Sequence, residues 1–409
     1  MPAGALSDRE AGFSRATDAD VVDGVPPTWV ARPGEVRELR SVMEEVARRK
    51  MAIVVRGRGT KIDWGRPPSR LDAVIDVSRL DRVTEHVVGD LVVRVEPGLR
   101  LADLQSTLSQ VGQRLSIDEV VPGSTIGGIV ATGLSGPRRL LSGGVRDLLI
   151  GATVIRADGK MVRTGGKVVK NVAGYDLCKL YTGSYGTLGV LAETVFRLHP
   201  LPAASAWVSV SLVDEDAVAR AVGGLLGSQL TPVALELDRP VSDVPIELSL
   251  LFEGLPKSVE NRCERASSLL GGSARFAPDP PPWWAALPGP TTIKATTTIS
   301  GVAEALRTVG RAAGAADLAP AVRSSPGLGI VYAGLQDSSE PEQVEIFVRC
   351  MREHFVTVGG SVVVLRTSTP IKGVVDVWGP VRPAGLMRRV KANFDPDGVL
   401  APGRFVSGI

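Results

Sequence analysis

Two glycine-rich segments carry the residues that are best suited to bind an anionic ligand. The first, residues 56–61 with the sequence RGRGTK, directly follows a β-branched run that predicts a buried strand. Consecutive backbone N–H groups that glycine dihedral angles leave exposed can form a concave anion site, and two arginines and a lysine add positive charge. From this hexapeptide alone, a solvated hairpin tip is an equally good interpretation.

The second segment, residues 122–136, is rich in glycine and contains no acidic residue. Glycine loses more backbone entropy on folding than any other residue, so this composition indicates that something approaches the backbone closely. Tight crossings of the chain with itself are the competing explanation. The wider stretch 121–144 is therefore predicted to be rich in loops and to expose its backbone.

Neither segment fits two common nucleotide-binding motifs. A dinucleotide-binding GxGxxG would need a glycine where Ile62 stands, which argues against nicotinamide binding through that motif. Residues 165–167 resemble the end of a P-loop, but Val168 stands where a serine or threonine should follow the lysine. ATP hydrolysis is therefore excluded as an interpretation.

Bulk composition describes an ordinary globular protein. The 409 residues suggest two or three domains, and 44% hydrophobic with 22% charged residues rules out a disordered or fibrous chain. A net charge of +3 without a long basic run gives no reason to expect nucleic acid as a partner. Three scattered cysteines, an N-terminus unlike a signal peptide and the lack of a membrane-spanning apolar stretch predict a cytoplasmic location.

Hydrophobic periodicity predicts elements that would hold these segments in place. An amphipathic helix at 35–49, strands at 51–55, 73–77, 83–88 and 91–95, and a helix at 100–111 form one α+β unit. Beyond residue 205 strands and helices alternate twice over, with a Pro-rich linker at 278–290 between the two series. This pattern predicts a split βαβ, ferredoxin-like layer with its helices on one face.

Residues 165–200 carry the most distinctive motifs of the chain. KNVAGYDL at 170–177 and GSYGTLG at 183–189 resemble, in order and spacing, the FAD-binding subunits of glycolate oxidase, also called glycolate dehydrogenase. These subunits belong to the vanillyl-alcohol oxidase and p-cresol methylhydroxylase type of flavoprotein. The resemblance extends to GGVRD at 143–147 and to FDP and PGR in the tail. It is strong up to residue 200 and weak through 205–375.

The resemblance implies an α+β fold with three parts. Residues 20–203 would form a two-subdomain FAD-binding domain of the p-cresol methylhydroxylase type, and residues 204–378 a ferredoxin-like α+β cap on the substrate side. Residues 379–409 would return to the FAD-binding domain.

The same resemblance implies a set of FAD-binding residues in the two glycine-rich segments and the motifs that follow. Backbone N–H groups would close on the pyrophosphate, and hydroxyl groups would add hydrogen bonds. Some members carry a histidine near Thr60 that is covalently attached to the flavin, and its lack here implies non-covalent FAD. The expected cofactor-binding residues are Arg56, Gly57, Arg58, Gly59, Thr60, Lys61, Gly123, Ser124, Thr125, Gly127, Gly128, Thr132, Gly133, Gly136, Lys170, Asn171, Gly189 and Val190.

The chain also departs from relatives that oxidise 2-hydroxy acids alone. Those relatives carry a metal-linked cluster of histidine and acid in their second half, whereas His86, His199 and His354 stand singly here. No metal site is expected, and no residue is assigned as the catalytic base. Tyr175 is as well explained by packing as by function, and Cys178 is best explained as a buried apolar residue.

The predicted function is that of an FAD-binding subunit that oxidises glycolate to glyoxylate in a complex. The partners implied are a sister flavin subunit and an iron–sulfur subunit, through which the complex could associate with a membrane. Trp283 and Trp284 could contact a partner or plug the Pro-rich linker. Two alternatives remain open: a stand-alone FAD-dependent dehydrogenase or oxidase of another hydroxy acid or alcohol, and a flavin-free scaffold.

Overall fold

A computed structural model describes residues 12–166, 176–241 and 244–409. The fold is α+β, as predicted from the sequence. The chain divides into two compact units that interleave along the sequence. The first unit comprises the residues up to Ser135, Gly144–Leu201 and Pro380–Ile409, and the second comprises Gly136–Gly143 and Pro202–Gly379.

A four-stranded sheet with one long helix begins the first unit. The strands lie in the order β1-β2-β4-β3, with β4 parallel to both β2 and β3. The helix turns Leu39, Val42, Met43 and Val46 toward the sheet, which is the spacing that predicted it. These elements are β1 (Phe13–Arg15), β2 (Trp29–Ala31), α1 (Val36–Arg49), β3 (Ile53–Arg56) and β4 (Ala73–Asp76).

A five-stranded antiparallel sheet in the order β5-β6-β10-β8-β9 forms the other half of this unit. A separate two-stranded sheet joins β7 to β11. Helix α4 belongs to the second unit although it lies within this part of the sequence. The elements are β5 (Val83–Val87), β6 (Val92–Val95), α2 (Leu101–Ser109), β7 (Gln113–Arg114), α3 (Ile126–Thr132), α4 (Arg139–Ser142), α5 (Val145–Leu148), β8 (Leu149–Ile155), β9 (Met161–Gly165), α6 (Leu177–Tyr181), β10 (Val190–Arg197) and β11 (His199–Pro200).

The stretch 121–144 is less rich in loops than its composition predicted, because it contains α3 and α4. Thr125 caps α3 by accepting a hydrogen bond from the Gly128 N–H, and Ile126, Ile129 and Val130 are buried at helical spacing. Gly133 ends the helix in the left-handed region, with φ of 64°. Two of the seven residues of this helix are glycines, so its apolar spacing was too weak to predict a helix from the sequence.

The second unit contains one eight-stranded antiparallel sheet made of two similar halves. Each half has the chain order βαββαβ, and the two halves meet where β13 pairs with β17. The strand order is β15-β12-β14-β13-β17-β18-β16-β19. The elements are β12 (Ala204–Leu212), α7 (Glu215–Leu226), β13 (Ala234–Arg239), β14 (Ile246–Gly254), α8 (Pro256–Leu269), β15 (Arg275–Ala277), β16 (Thr291–Thr296), α9 (Val302–Ala316), β17 (Ala321–Ser325), β18 (Ile330–Leu335), α10 (Pro341–Thr357), β19 (Ser361–Arg366) and α11 (Thr369–Val374).

Each half has the strand order of a ferredoxin-like fold, with its first strand between its third and fourth. Residues at alternate positions on the helix-covered face are aliphatic and buried, such as Leu235 and Leu237 on β13. Strands β15 and β17 were not predicted. Strand β15 has three exposed residues, and RSS in β17 has no apolar alternation to reveal it.

The C-terminal segment closes the first unit. Helix α12 (Ala384–Phe394) is followed by a turn, and the chain then runs beside β3, where Ile53 bonds to the backbone of Val399 and Ala401. Phe394 packs edge-on against Tyr181 with ring centroids 6.0 Å apart. Across the described ranges, no helix is both long and apolar enough to cross a membrane.

Candidate functional site

Two adjoining cavities in the first unit bring the glycine-rich segments together. They have open volumes of about 620 and 540 Å³ and share Val55, Gly57, Thr125, Gly128, Ala131 and Tyr185 in their walls. Residues 54–62 form one wall of the smaller cavity, and residues of α3 form another. The larger cavity extends along residues 184–191. Together they form one elongated cleft.

The loop after β3 exposes consecutive backbone donors to this cleft. No atom of the described chain accepts a hydrogen bond from the N–H groups of Gly57, Arg58, Gly59 or Thr60. Gly59 lies in the left-handed region, with φ of 76°, a conformation that allows successive N–H groups to face a common side. This is the geometry of an anion site, and it favours that interpretation over a solvated hairpin tip.

The two arginines of this loop have different surroundings. The Arg56 guanidinium donates to Asp20 at 2.8 Å and to Asp76 at 2.9 Å, so two carboxylates neutralise it. These contacts raise its pKa although burial opposes them. Arg56 therefore anchors the base of the loop, while the Arg58 side chain is exposed at its tip.

Lys61 places a buried positive charge in the wall of the cleft. Its side chain is only 9% exposed, and its ammonium group donates to Ser124 Oγ at 2.5 Å. Burial lowers the pKa of Lys61 to about 8, and only the more distant charge of Glu119 opposes that shift. A buried ammonium that bonds to neutral hydroxyl groups is suited to an anionic ligand.

The N-terminus of α3 offers fewer free backbone N–H groups to a ligand than the sequence suggested. Its Gly127 N–H donates to Pro97 O at 2.8 Å, and its Gly128 N–H donates to the Thr125 hydroxyl at 3.3 Å. A Cβ atom at Gly127 would lie 2.8 Å from Pro97 Cβ, so this glycine is required by the protein's own packing. Ligand contacts on this side would come from Lys61 and the Thr125 hydroxyl.

Tyr185 and Arg404 line the cleft although sequence reasoning did not select them. Tyr185 adopts φ of 55°, and its ring stacks on Phe405 with centroids 5.4 Å apart. The Arg404 guanidinium is 5% exposed and donates to the carbonyls of Ile62 and Trp64. Burial raises the pKa of Tyr185 and lowers that of Arg404. The motif GSYGTLG and the tail motif PGR were the available signals.

Most of the sequence-predicted cofactor residues lie in the cavity walls. Those that do are Arg56, Gly57, Arg58, Gly59, Thr60, Lys61, Thr125, Gly127, Gly128, Thr132, Gly189 and Val190. Gly123, Ser124, Gly133 and Gly136 do not line either cavity, and Ser124 acts through its bond to Lys61. Lys170 and Asn171, with Tyr175, lie outside the described residues.

Other residues singled out in the sequence pack against neighbouring side chains. Cys178 is fully buried in the core around the five-stranded sheet, and burial raises its pKa to about 11. Trp284 packs edge-on against Trp207 with centroids 6.0 Å apart, as a plug beneath the Pro-rich linker. In the described part of the chain no three His, Cys, Asp or Glu side chains cluster as a metal site would need.

Comparison with known proteins identifies an FAD-binding domain in this chain. Residues 27–165 match the protein family described as FAD binding domain. The chain is 28% identical to an uncharacterized FAD-linked oxidoreductase of Mycobacterium tuberculosis, over 92% of this chain and 90% of that protein. It is 36% identical to glycolate oxidase subunit GlcE of Escherichia coli, over 54% of this chain and 61% of that protein. With glycolate oxidase subunit GlcD of Bacillus subtilis it shares 32% identity, over 57% and 50% of the two chains.

Solved structures show the same fold at low sequence identity. Substrate-bound p-cresol methylhydroxylase matches with a TM-score of 0.69 and 16% identity, over 93% of this chain and 88% of that one. A 4-ethylphenol oxidase from Gulosibacter chungangensis matches with a TM-score of 0.71 and 15% identity, over 95% and 90% of the two chains.

The fold is therefore the p-cresol methylhydroxylase type, and the chain is an FAD-dependent oxidoreductase. Among such proteins it is a distant homologue of the glycolate oxidase subunits GlcD and GlcE. The cleft fits FAD, because a pyrophosphate needs the donors and the positive charge that residues 57–61 present.

Proposed function

We propose that this chain is the FAD-binding subunit of a complex that oxidises glycolate to glyoxylate. The observation that carries the proposal is the similarity of the chain to two different glycolate oxidase subunits, together with a cleft whose donors suit a pyrophosphate. The substrate class is that of 2-hydroxy acids with a free carboxylate. Glycolate is the member that both related subunits are named for.

The residues of the cleft would hold FAD without a covalent bond. The backbone of residues 57–60 and the Lys61 ammonium would bind the pyrophosphate, with the Thr125 hydroxyl as a further donor. Gly189 and Val190 would approach the cofactor with main-chain atoms. No histidine occurs among the residues that line either cavity in the described chain, which supports dissociable FAD. When bound, FAD supplies the acceptor for the two electrons that leave glycolate.

The oxidation also requires other partners. Conversion of glycolate to glyoxylate releases two electrons and two protons, and the electrons must leave the site for turnover to continue. An iron–sulfur subunit is the class of acceptor that we propose, with a sister flavin subunit in the same complex. The three cysteines of the sequence are too few to bind a Cys₄ cluster within this chain.

Anaerobic reduction of the bound flavin tests this proposal. The protein purified alone and the protein purified with its native partners are each mixed with glycolate, and the flavin absorbance is followed. We expect bleaching with glycolate only when the partners are present. Absence of bleaching by glycolate in both preparations contradicts the proposed function.

A stand-alone FAD-dependent dehydrogenase of another hydroxy acid or alcohol is the second candidate. The match to an FAD-linked oxidoreductase over nearly the full length of both chains favours it equally. Rapid bleaching of the purified single chain by D-lactate or an alcohol distinguishes this candidate from the subunit.

A further inference from the structure

The C-terminal helix α12 differs from other helices of the chain in its balance of charge. Residues 377–394, which include this helix, contain four cations and no acidic residue. By contrast, α1, α8 and α10 each contain glutamates that form salt bridges with arginine or lysine of the same helix. The positive charge of residues 377–394 is therefore not balanced within that stretch.

One of the four cations is neutralised on the inner side of α12. Lys391 forms a salt bridge with the buried Asp395, which follows the helix. Val390 and Phe394 pack against the core around the five-stranded sheet. These residues determine which side of α12 faces the first unit.

The other three cations, Arg382, Arg388 and Arg389, are exposed. Across the described ranges, none of them forms a salt bridge or a side-chain hydrogen bond with another residue. Leu386, which is 55% exposed, stands between Arg382 and Arg388 in the sequence. We call these four residues the outer face of α12.

The composition of the outer face indicates what chemistry would cover it. Arginine binds carboxylates through two parallel hydrogen bonds, and it is enriched in protein–protein interfaces. A helix that binds a membrane surface inserts a broad apolar face, whereas Val390 and Phe394 of α12 are turned toward the core. Three unpaired arginines beside one exposed leucine therefore favour an acidic protein surface over a membrane.

The inner side of α12 contacts residues at the wall of the glycine-rich cleft. Tyr181, whose ring packs against Phe394, lines the larger cavity. Lys391 donates to Thr187 O, one residue beyond Gly186 in the same wall. A helix with its side chains is about 10–12 Å across. A protein on the outer face would therefore lie about one helix diameter from the wall of the cleft.

We propose that the outer face of α12 binds an acidic surface of the protein that accepts electrons from this chain. The inference rests on the proposed function for the role of that partner, and it names the surface that the partner uses. Because the contact is made mainly by exposed charges, the complex forms rapidly at low salt and weakens as the salt concentration rises.

Charge reversal on the outer face tests the proposal. The acceptor is obtained as the iron-containing protein that co-purifies with the FAD-loaded wild-type chain from the native cell, and it is separated from the chain at high salt. Surface plasmon resonance then measures its binding to wild type and to the double variant Arg388→Glu, Arg389→Glu. We expect the association rate of the variant to be about tenfold lower or less, with a weaker dependence on salt.

Two exposed arginines of the second unit provide the matched control. Arg220 on α7 and Arg265 on α8 also form no salt bridge within the described chain. The double variant Arg220→Glu, Arg265→Glu changes the net charge by the same amount and should bind the acceptor as wild type does. Equal slowing in the two double variants, or none in Arg388→Glu, Arg389→Glu, overturns the inference.

Arg382→Glu keeps the proposal testable if the double variant misfolds, because Arg382 precedes the helix. We expect its association rate to fall about threefold, as one reversed charge at the edge of an interface should cause. An association rate equal to that of wild type in Arg382→Glu and in a folded Arg388→Glu contradicts the proposal.

Vesicle binding distinguishes a protein partner from a membrane. The wild-type chain and the double variant are sedimented with vesicles of phosphatidylcholine and phosphatidylserine in a ratio of about 7 to 3. We expect no difference between the two proteins. Loss of vesicle binding in the double variant, with acceptor binding unchanged, assigns the outer face to a membrane and overturns the inference.

Flavin reduction separates failure of this surface from failure of the proposed function. If glycolate bleaches the flavin of the native complex and charge reversal leaves acceptor binding unchanged, the inference fails and the proposed function stands. If charge reversal weakens acceptor binding and glycolate causes no bleaching, the proposed substrate is wrong and the docking surface stands. Failure of any iron-containing protein to co-purify overturns the inference.

Discussion

Lys61 illustrates how a single buried charge can govern affinity for the cofactor. The free protein holds its ammonium group in a wall of the cleft with only hydroxyl groups as hydrogen-bond acceptors. The lowered pKa, about 8, records the unfavourable burial of this charge. A pyrophosphate beside Lys61 would stabilise the charged form and raise that pKa.

We therefore expect FAD affinity to fall between about pH 7 and about pH 9, as Lys61 of the free protein loses its proton. Lys61→Met should bind FAD about tenfold more weakly at neutral pH and lose most of this pH dependence. Fluorescence titration of the apoprotein with FAD measures both effects. Lys160→Met, which removes an exposed lysine of the same unit, is the control. An unchanged pH profile in Lys61→Met contradicts this role.

The adjacent glycines of α3 should respond differently to alanine. A Cβ atom at Gly128 would lie 3.3 Å from Thr125 Oγ1 and 3.8 Å from Lys61 Nζ, at the wall of the cleft. Gly128→Ala should leave the apoprotein at least as stable as wild type, since alanine favours a helix over glycine by about 0.5–1 kcal/mol. We expect its FAD affinity to fall roughly tenfold, because the methyl group narrows the cleft.

Gly127→Ala is the matched comparison, because its Cβ atom would meet Pro97 instead of the cleft. This variant should lower the melting temperature of the apoprotein. Thermal unfolding without FAD and FAD titration separate the two effects. Normal FAD binding by Gly128→Ala contradicts the placement of the cofactor beside α3.

The sequence predicted much of the candidate site but not all of it. Residues 56–61 could be identified because glycines and cations follow a strand within six positions. Tyr185 and Arg404 were not selected although both stand in recognised motifs, because only the tertiary fold brings residues more than 200 positions apart into one wall.

At the scale of elements, the C-terminal helix holds the loop that lines the cleft. Lys391 on α12 donates to Thr187 O at 2.9 Å, Leu400 O at 2.7 Å and Asp395 Oδ2 at 2.5 Å. Asp395 in turn accepts hydrogen bonds from the backbone N–H groups of Val399 and Leu400. One buried ion pair thus connects the helix, the tail and the segment around Tyr185.

Lys391→Met should therefore destabilise the apoprotein by about 3–5 kcal/mol, because it leaves the buried Asp395 carboxylate without its cation. Urea denaturation without FAD measures this change. Arg388→Met removes an exposed charge from the same helix and should change the free energy of unfolding by less than about 0.5 kcal/mol. Equal effects of the two substitutions contradict the role of Lys391.

The sequence predicted helices and strands correctly where apolar residues recur at a regular spacing. Helix α1 and strand β4 begin within one residue of their predicted positions, because their apolar positions alternate at the expected spacing. Helix α3 was hidden by its two glycines, and β17 has only a short, mostly polar sequence. Burial of the apolar side chains of α3, and the pairing of β17 with β13 and β18, determine these elements.

At the scale of the whole molecule, the cofactor cleft and the eight-stranded sheet belong to two different units. The first contains the glycine-rich cleft, and the second contains a duplicated βαββαβ sheet. Each unit has its own buried core, and the sequence of the first is interrupted by both parts of the second. A cofactor cleft in one unit and a separately built sheet in the other would allow one fold to serve several substrates.

Flavin content after acid denaturation tests whether this chain binds FAD without a covalent bond. The protein is purified, or reconstituted with FAD, and then precipitated with acid, and flavin is measured in the supernatant and in the pellet. Non-covalent binding in the cleft predicts a yellow protein that releases about one FAD per chain into the supernatant. A colourless protein that binds no added FAD, or flavin that stays in the pellet, contradicts non-covalent binding of FAD.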